Sequence, residues 1–160
     1  RRDIFVKEDK YPESEVWQPY DERARHFFIL EGEKKIGVFS LFTQRPLPIE
    51  KYIDIDRYKG KHNAEIYKLA IAKSYRNTPA LFFSFVRITE YFSDHDLDTA
   101  FIHSIKDKKK NITLYKKVGF KTIGEIEHPN KGPLTVLYCN FNILTLDKLI
   151  AQYQKKYKIT

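Results

Sequence analysis

The sequence predicts an α/β (α+β) fold, with a mixed, mostly antiparallel central sheet flanked by helices on both faces. Three features of its 160 residues predict it. A turn signal separates two apolar runs near the start, a strand, a helix and a strand follow one another in the middle, and two further strands precede a terminal helix.

The elements follow in order. Arg1 to Tyr20 holds Pro12 and Pro19, which oppose regular structure, so it reads as an irregular arm. His26 to Leu30 and Lys35 to Thr43 are apolar runs around Glu31-Gly32-Glu33-Lys34, a hairpin signal that predicts two antiparallel strands. Ala64 to Ser74 carries Ile66, Leu69, Ala70, Ile71 and Ala72 with few of the gaps of a helix face, and predicts a central strand covered on both sides. Thr78-Pro79 resembles a cap followed by proline at the first helical position. After it Leu81, Phe82, Phe85, Ile88 and Phe92 recur at helical spacing, ending near Ser93. Thr99 to Ile105 reads as a short strand, Asp107 to Val118 as a lysine-rich helix closed by Gly119, and Phe120 to Ile126 and Leu134 to Phe141 as two more strands. Leu144 to Tyr157 predicts the last helix, with Leu146, Leu149, Ile150 and Tyr153 on one face. Strand, helix, strand implies a right-handed crossover and parallel pairing at the centre of the sheet.

Length and composition set the bounds. Residues 1–160 are the size of one domain, and 42% hydrophobic residues with 12 Phe and 11 Tyr separate the chain from disordered sequences. The single cysteine, Cys139, cannot close an intramolecular disulfide and no Cys/His set has zinc spacing, so a reducing cytoplasm and no metal are expected. No apolar run approaches the roughly 18 to 20 residues of a membrane span, so no integral membrane segment is expected. The absence of Met and a first residue Arg1 make a missing N-terminal stretch an expectation. The formal charge of +8 gathers in Lys106, Lys108, Lys109, Lys110, Lys116, Lys117 and Lys121. Such a patch is either a solvated face or an attractor of polyanions: nucleic acid, coenzyme A phosphates or an acidic carrier protein. It lacks a base-reading motif, so nucleic acid is not an expected partner.

Two parallel strands that part company leave a cleft at their carboxyl ends, with unpaired backbone groups facing a ligand. The strand ending near Ser74 and Thr99 to Ile105 are that pair. An amide-rich, strand-like pantetheine arm fits such an edge.

Three motifs then carry a resemblance. Asn111-Ile-Thr-Leu-Tyr115-Lys-Lys-Val-Gly119-Phe120 is similar to the GNAT acyltransferase signature in which a helix ends in Tyr, three residues, Gly and Phe. Ala64-Glu65-Ile66-Tyr67-Lys68-Leu69-Ala70-Ile71 resembles the Glu, two residues, basic residue, Leu-Ala-Ile/Val pattern of acyl-homoserine-lactone synthases and long-chain N-acyl amino acid synthases, with Lys68 where arginine is usual. Arg1 to Phe5, then Tyr20-Asp21-Glu22-Arg23 and Ile36-Gly37-Val38, resemble the Arg-x-x-x-Phe, Tyr-Asp and glycine features of the same families.

The resemblance implies direct transfer of a fatty acyl group, without a tightly bound cofactor, from an acyl-carrier-protein or coenzyme A thioester to the amine of an amino acid or similar small acceptor. It assigns Tyr115 as the acid for the leaving thiolate, Glu65 as the base for the amine, and Asp21 as a group orienting the acceptor or its base. The donor would lie along Leu69, Ala70, Ile71 and Ala72, with Arg76, Thr78 and Asn111 nearby. Arg1, Phe5, Trp17, Phe82 and Phe85 would line the acyl or acceptor site. Plainer readings stand beside these. For Tyr115 the plainer reading is packing under the helix end, for Glu65 pairing with a lysine, for Asp21 a turn or cap, and for Phe82 and Phe85 the core.

Two departures bear on the donor and the branch. Arg76-Asn77-Thr78-Pro79-Ala80-Leu81 stands where the superfamily has a glycine-rich pyrophosphate loop, without a glycine and with one N–H lost to Pro79, which favours a carrier-protein donor docking on Arg76, Lys73 and Lys106 to Lys110. Ser40 stands where acyl-homoserine-lactone synthases have arginine, which favours an N-acyl amino acid product. A non-catalytic GNAT-like binding protein is the reading from another class. Asp94-His95-Asp96 reads as a polar loop, and His26, His62, His103 and His128 form no nucleophile or metal arrangement in sequence.

Overall fold

The computed structural model describes residues 1–76, 78–141, 147–151, 154 and 155. Strands β1 (Arg25–Glu31) and β2 (Lys34–Phe42) form the predicted hairpin, and β3 (Asn63–Ile71) is followed by helix α1 (Ala80–Asp94) and strand β4 (Thr99–Ile105). Helix α2 (Lys109–Lys117) then leads to β5 (Lys121–His128) and β6 (Gly132–Asn140). One six-stranded sheet results, in the order β1-β2-β3-β4-β6-β5. All its pairings are antiparallel except β3 with β4.

Apolar periodicity places the layers. On one face Phe85, Ile88 and Phe92 of α1 and Tyr115 of α2 pack against Ala64, Ile66, Ala100, Ile102 and Leu137 of the sheet. On the other, Phe42, Tyr67, Phe101, Leu134 and Val136 are covered by Leu47, Ile49 and Ile55 from the connection between β2 and β3. The N-terminal arm is more ordered than its prolines suggest: Asp3–Glu8 forms a π-helical turn whose Ile4 packs on Val38 and Ala70. Of the predicted last helix, residues 147–151 are helical and Leu149 is buried in the first cluster, whereas Leu144, Leu146, Tyr153 and Tyr157 lie outside the described residues.

One local irregularity shapes the site. Between the pairs Val38↔Ala70 and Ser40↔Tyr67, β3 carries one residue more than β2, a bulge with Lys68 at φ 52°. Pairing of β3 with β4 stops at Ile66↔Ile102, immediately before it. Strand β3 itself ends at Ile71, short of the expected Ser74, because residues Lys73–Tyr75 turn as a 3-10 helix.

Candidate functional site

The strands part after Ile66 and Ile102, and a cleft of about 890 Å³ opens between them. It passes through the sheet, since its walls include Leu81 and Tyr115 from the helical face and Tyr67, Glu15 and Lys131 from the other. Leu69, Ala70 and Ile71 line it along the edge of β3 that β4 no longer pairs. Phe5, Asp9 and Tyr11 of the arm close one side, with Phe5 edge-on to Tyr11 at 5.8 Å between centroids.

Tyr115 lies at the end of α2 with its ring between Phe85 and Phe120, at 5.8 and 6.1 Å between centroids. Burial pushes its hydroxyl pKa up, so it keeps its proton throughout the neutral range. Glu65 is placed differently from its expected position at the reacting centre. It is fully buried on the opposite face of the sheet and does not line the cleft. Its Oε2 accepts the Ile49 N–H at 2.8 Å, while its Oε1 stands 3.4 Å from His103 Nδ1 in a geometry that is not a hydrogen bond. His103, a β4 residue, is the cleft-lining member of that pair.

Asp21 is fully buried and joins three donors: Arg1 Nη1 at 3.1 Å, Lys68 Nζ at 2.5 Å and the Gln18 N–H at 2.7 Å. It is therefore at once a turn cap and the centre of an Arg1–Asp21–Lys68 ion cluster. Burial lowers the Lys68 pKa, and the nearby Arg1 and Lys131 charges act in the same direction against the Asp21 carboxylate. Ser40 is fully buried and receives a hydrogen bond from Arg1. A cation thus reaches this place from the arm rather than from β2.

The opposite end of the cleft is basic. Lys73, Arg76, Lys108, Lys109, Lys110, Lys117 and Asn111 line it, while Lys106 is instead paired with Glu125 at 2.7 Å. Arg76 is already engaged by Glu8 and Asp9 at 2.9 and 2.8 Å and by the Ile71 carbonyl at 2.9 Å. Thr78 and Ala72 are not part of the lining, and the Thr78 hydroxyl accepts the Ala80 N–H at 3.2 Å at the start of α1.

Of the residues expected at the acyl or acceptor site, Phe5 lines the cleft and four do not. Phe85 is fully buried and Phe82 packs against the same core, as their helical spacing equally allows. Trp17 is 52% exposed and lies beneath the Arg1 guanidinium at 5.5 Å, with Arg1 committed to the Asp21 cluster. Asp96 pairs with His62 at 2.9 Å and His95 stacks on Tyr91 at 3.9 Å, so Asp94-His95-Asp96 is a polar turn.

Sequence reading missed His103, Tyr67 and Lys131. The signal for His103 is its place between Phe101 and Ile105 on one face of β4, a titratable ring between two apolar side chains. Tyr67 shares a 2.5 Å hydrogen bond with Tyr20, and burial raises both phenols, Tyr20 to about 12. Lys68 and Lys131 flank the Tyr67 ring at 5.2 and 5.4 Å.

Among solved structures, a GNAT family acetyltransferase from Elizabethkingia anophelis with acetyl-CoA bound superposes with a TM-score of 0.62 over 86% of this chain and 88% of its own, at 14% identity. The fold is the GNAT fold. A CoA-dependent acyl-homoserine lactone synthase, solved with SAM and isopentyl-CoA, shares it with a TM-score of 0.68 over 94% of this chain and 76% of its own, at 16% identity. An N-acyl amino acid synthase from uncultured soil microbes does so with a TM-score of 0.65 over 89% and 81%, at 22% identity. No protein-family model and no curated protein matches the sequence. At these identities the likeness establishes the GNAT fold, with its parted parallel strands, and leaves the reaction to be argued from the site.

Proposed function

We propose that the chain is an N-acyltransferase that moves a fatty acyl group from a pantetheine thioester, on acyl carrier protein or coenzyme A, to the amine of an amino acid or similar small acceptor. The observation that carries this reading is the cleft through the sheet, with Tyr115 on one wall and the unpaired edge of residues 67–71 on another. A pantetheine arm pairs with that edge as an added strand, and backbone groups near Leu69 and Ala70 hold the thioester oxygen as negative charge develops on it. The amine attacks the carbonyl carbon, the C–N bond forms, the C–S bond breaks, and Tyr115 supplies a proton to the thiolate. The basic mouth at Lys108, Lys109, Lys110 and Lys117 suits the anionic part of either donor. At the other end Lys68 and Lys131, paired with Asp21 and Glu15, give the cleft a polar wall that suits a small polar acceptor such as an amino acid.

The withdrawal of Glu65 from the cleft and the ion pairs that occupy Arg76 favour a second reading, a GNAT-like binding protein without turnover. Incubation with acyl-carrier-protein and acyl-CoA thioesters plus mixed amino acids, followed by mass spectrometry and free-thiol detection, separates the two. The transferase reading expects an amide with a free carboxylate, and Tyr115→Phe lowers kcat by about 10²–10⁴-fold, the size of a proton-transfer contribution. A lactone product assigns the chain to the acyl-homoserine-lactone reaction instead, and binding of every donor without thiol release leaves the binding protein.

A further inference from the structure

Two buried side-chain polar atoms among the described residues have no hydrogen-bond partner, Glu65 Oε1 and His103 Nδ1, and they face each other at 3.4 Å. An unpartnered buried polar atom is costly, because it gives up its hydrogen bonds to water and gains none in return. Two such atoms side by side, one an acceptor and one able to donate, are the halves of a single interaction that a small rotation of the imidazole completes. The ring is held for that role, with Tyr67 against it at 5.3 Å between centroids. Its Nδ1 is turned inward while the residue lines the cleft, which leaves Nε2 as the nitrogen presented to a ligand.

We propose that His103 is the base that accepts the proton of the acceptor amine, and that Glu65 is a positioning residue that fixes the His103 tautomer with hydrogen on Nδ1. This inference rests on the acyl-transfer reading and refines it. The ammonium loses one proton to solvent before attack. The addition then places a second proton on Nε2 as the C–N bond forms, the C–S bond breaks, and the thiolate takes a proton from Tyr115. The imidazolium that results is stabilised by the Glu65 carboxylate behind it. Glu65 does so without touching substrate, which accounts for a fully buried carboxylate whose one firm hydrogen bond comes from the Ile49 N–H. The groups facing the ring are Glu65 and Tyr67 from β3, His128 at the end of β5, Lys131 in the turn before β6, and Glu15 of the arm beside Lys131. None of these besides Glu65 offers the ring an acceptor in hydrogen-bond range.

The test uses the full chain and two readouts. Long-range proton–nitrogen NMR of the imidazoles, with His103→Gln to assign the signal, is expected to show neutral His103 protonated on Nδ1, and this needs no turnover. In the acyl-transfer assay, kcat/KM of the wild type is expected to rise with pH as the base loses its proton. His103→Gln removes that limb and lowers kcat/KM by about 10²–10⁴-fold. Glu65→Gln keeps the limb but moves it to lower pH, because the ring loses the negative charge that favours its protonated form, a change that a packing defect alone does not produce. A wild-type chain that releases no thiol from any donor overturns the acyltransferase reading. A neutral ring protonated on Nε2, or an active enzyme whose His103→Gln variant keeps the wild-type rate and pH limb, overturns the assignment of His103.

Discussion

Replacing Asp21 with Asn tests the ion cluster at the Lys68 end of the cleft. The side chains of Asp21, Lys68 and Arg1 are 0%, 5% and 12% exposed, so removing the one carboxylate leaves two cations shielded from water and facing a neutral amide. Breaking a buried ion pair by removing one partner costs about 3–5 kcal/mol. Neutral acceptors survive here: the Val16 carbonyl faces both Arg1 and Lys68 at 3.3 Å, and Ser40 also accepts from Arg1. The expected cost therefore sits at the low end, about 3 kcal/mol. For a domain of this size that is a fall in Tm of roughly 6–12 °C.

Lys68 gives the loss a sign with pH. Its pKa in the folded chain is already lowered by burial, and without Asp21 it falls further below the unfolded value. The folded variant then binds fewer protons than the unfolded one, so its stability rises with pH between those two values. The deficit of Asp21→Asn relative to wild type is expected to narrow from pH 7 toward pH 10. Adding Lys68→Met should recover part of the loss, with a coupling of roughly 0.5–3 kcal/mol in the double-mutant cycle. Urea or thermal denaturation of the four proteins measures all of this. An Asp21→Asn variant within about 1 kcal/mol of wild type, with no pH trend, refutes the ionised cluster.

Three further perturbations address other parts of the molecule. Glu8→Gln with Asp9→Asn removes the two negative charges that hold Arg76, so the Kd for an anionic donor should fall about 2–10-fold, in keeping with two partly exposed pairs, and become more salt-sensitive; calorimetry with coenzyme A at two ionic strengths reads the effect, and unchanged affinity counts against a donor at that mouth. Gly37→Ala puts a Cβ 2.6 Å from the Ala70 carbonyl oxygen across the β2–β3 ladder, and the resulting overpacking should cost about 1–3 kcal/mol in urea denaturation, whereas a neutral result means that the strands separate freely there. Glu15 is pushed upward in pKa by burial, but the Lys131 charge and the hydrogen bonds from Lys131 and Asn130 outweigh this and leave it lowered; its contribution is present above the unfolded value near 4.3 and is lost as pH falls through the folded one, so the stability gap between wild type and Glu15→Gln should be full at pH 6 and close at more acid pH, as urea midpoints will show.

Much of the architecture was legible because it follows from short-range pattern. Leu81, Phe85, Ile88 and Phe92 mark α1, and β3 announces itself by apolar residues that point to both faces, as Ile66 and Tyr67 do. The parallel pairing of β3 with β4 followed from the helix between them. The cleft lay partly within reach for the same reason, and Tyr115, Asn111, Phe5 and Leu69 to Ile71 are found on it. The bulge was not legible, since Lys68 is neither Gly nor Asn and nothing adjacent marks a left-handed residue. Its partner Asp21 is 47 residues away in sequence. His103 was passed over because its meaning depends on Glu65, and that pair exists only once β3 and β4 are in register with Glu65 beside Phe101. Phe82 and Phe85 show the converse limit: helical spacing says that a face is apolar, and core and tunnel share that property.

The bulge links the ion cluster to the opening of the sheet. A lysine in the left-handed region costs about 1–2 kcal/mol, and a strand without that extra residue would keep its alternation beyond Tyr67. With it, Lys68 turns inward to Asp21, Leu69 packs toward the helical core, Ala70 meets Ile4 on the other face, and β4 loses its partner after Ile102. The attraction between Lys68 and the buried carboxylate is what holds the costly conformation in place, because water offers that ammonium no comparable partner in the interior. The arm that leads into Asp21 also supplies Phe5, Asp9, Tyr11 and Glu15 to the cleft walls. Burial of the Lys68 charge and enclosure of the cleft therefore depend on the same N-terminal segment.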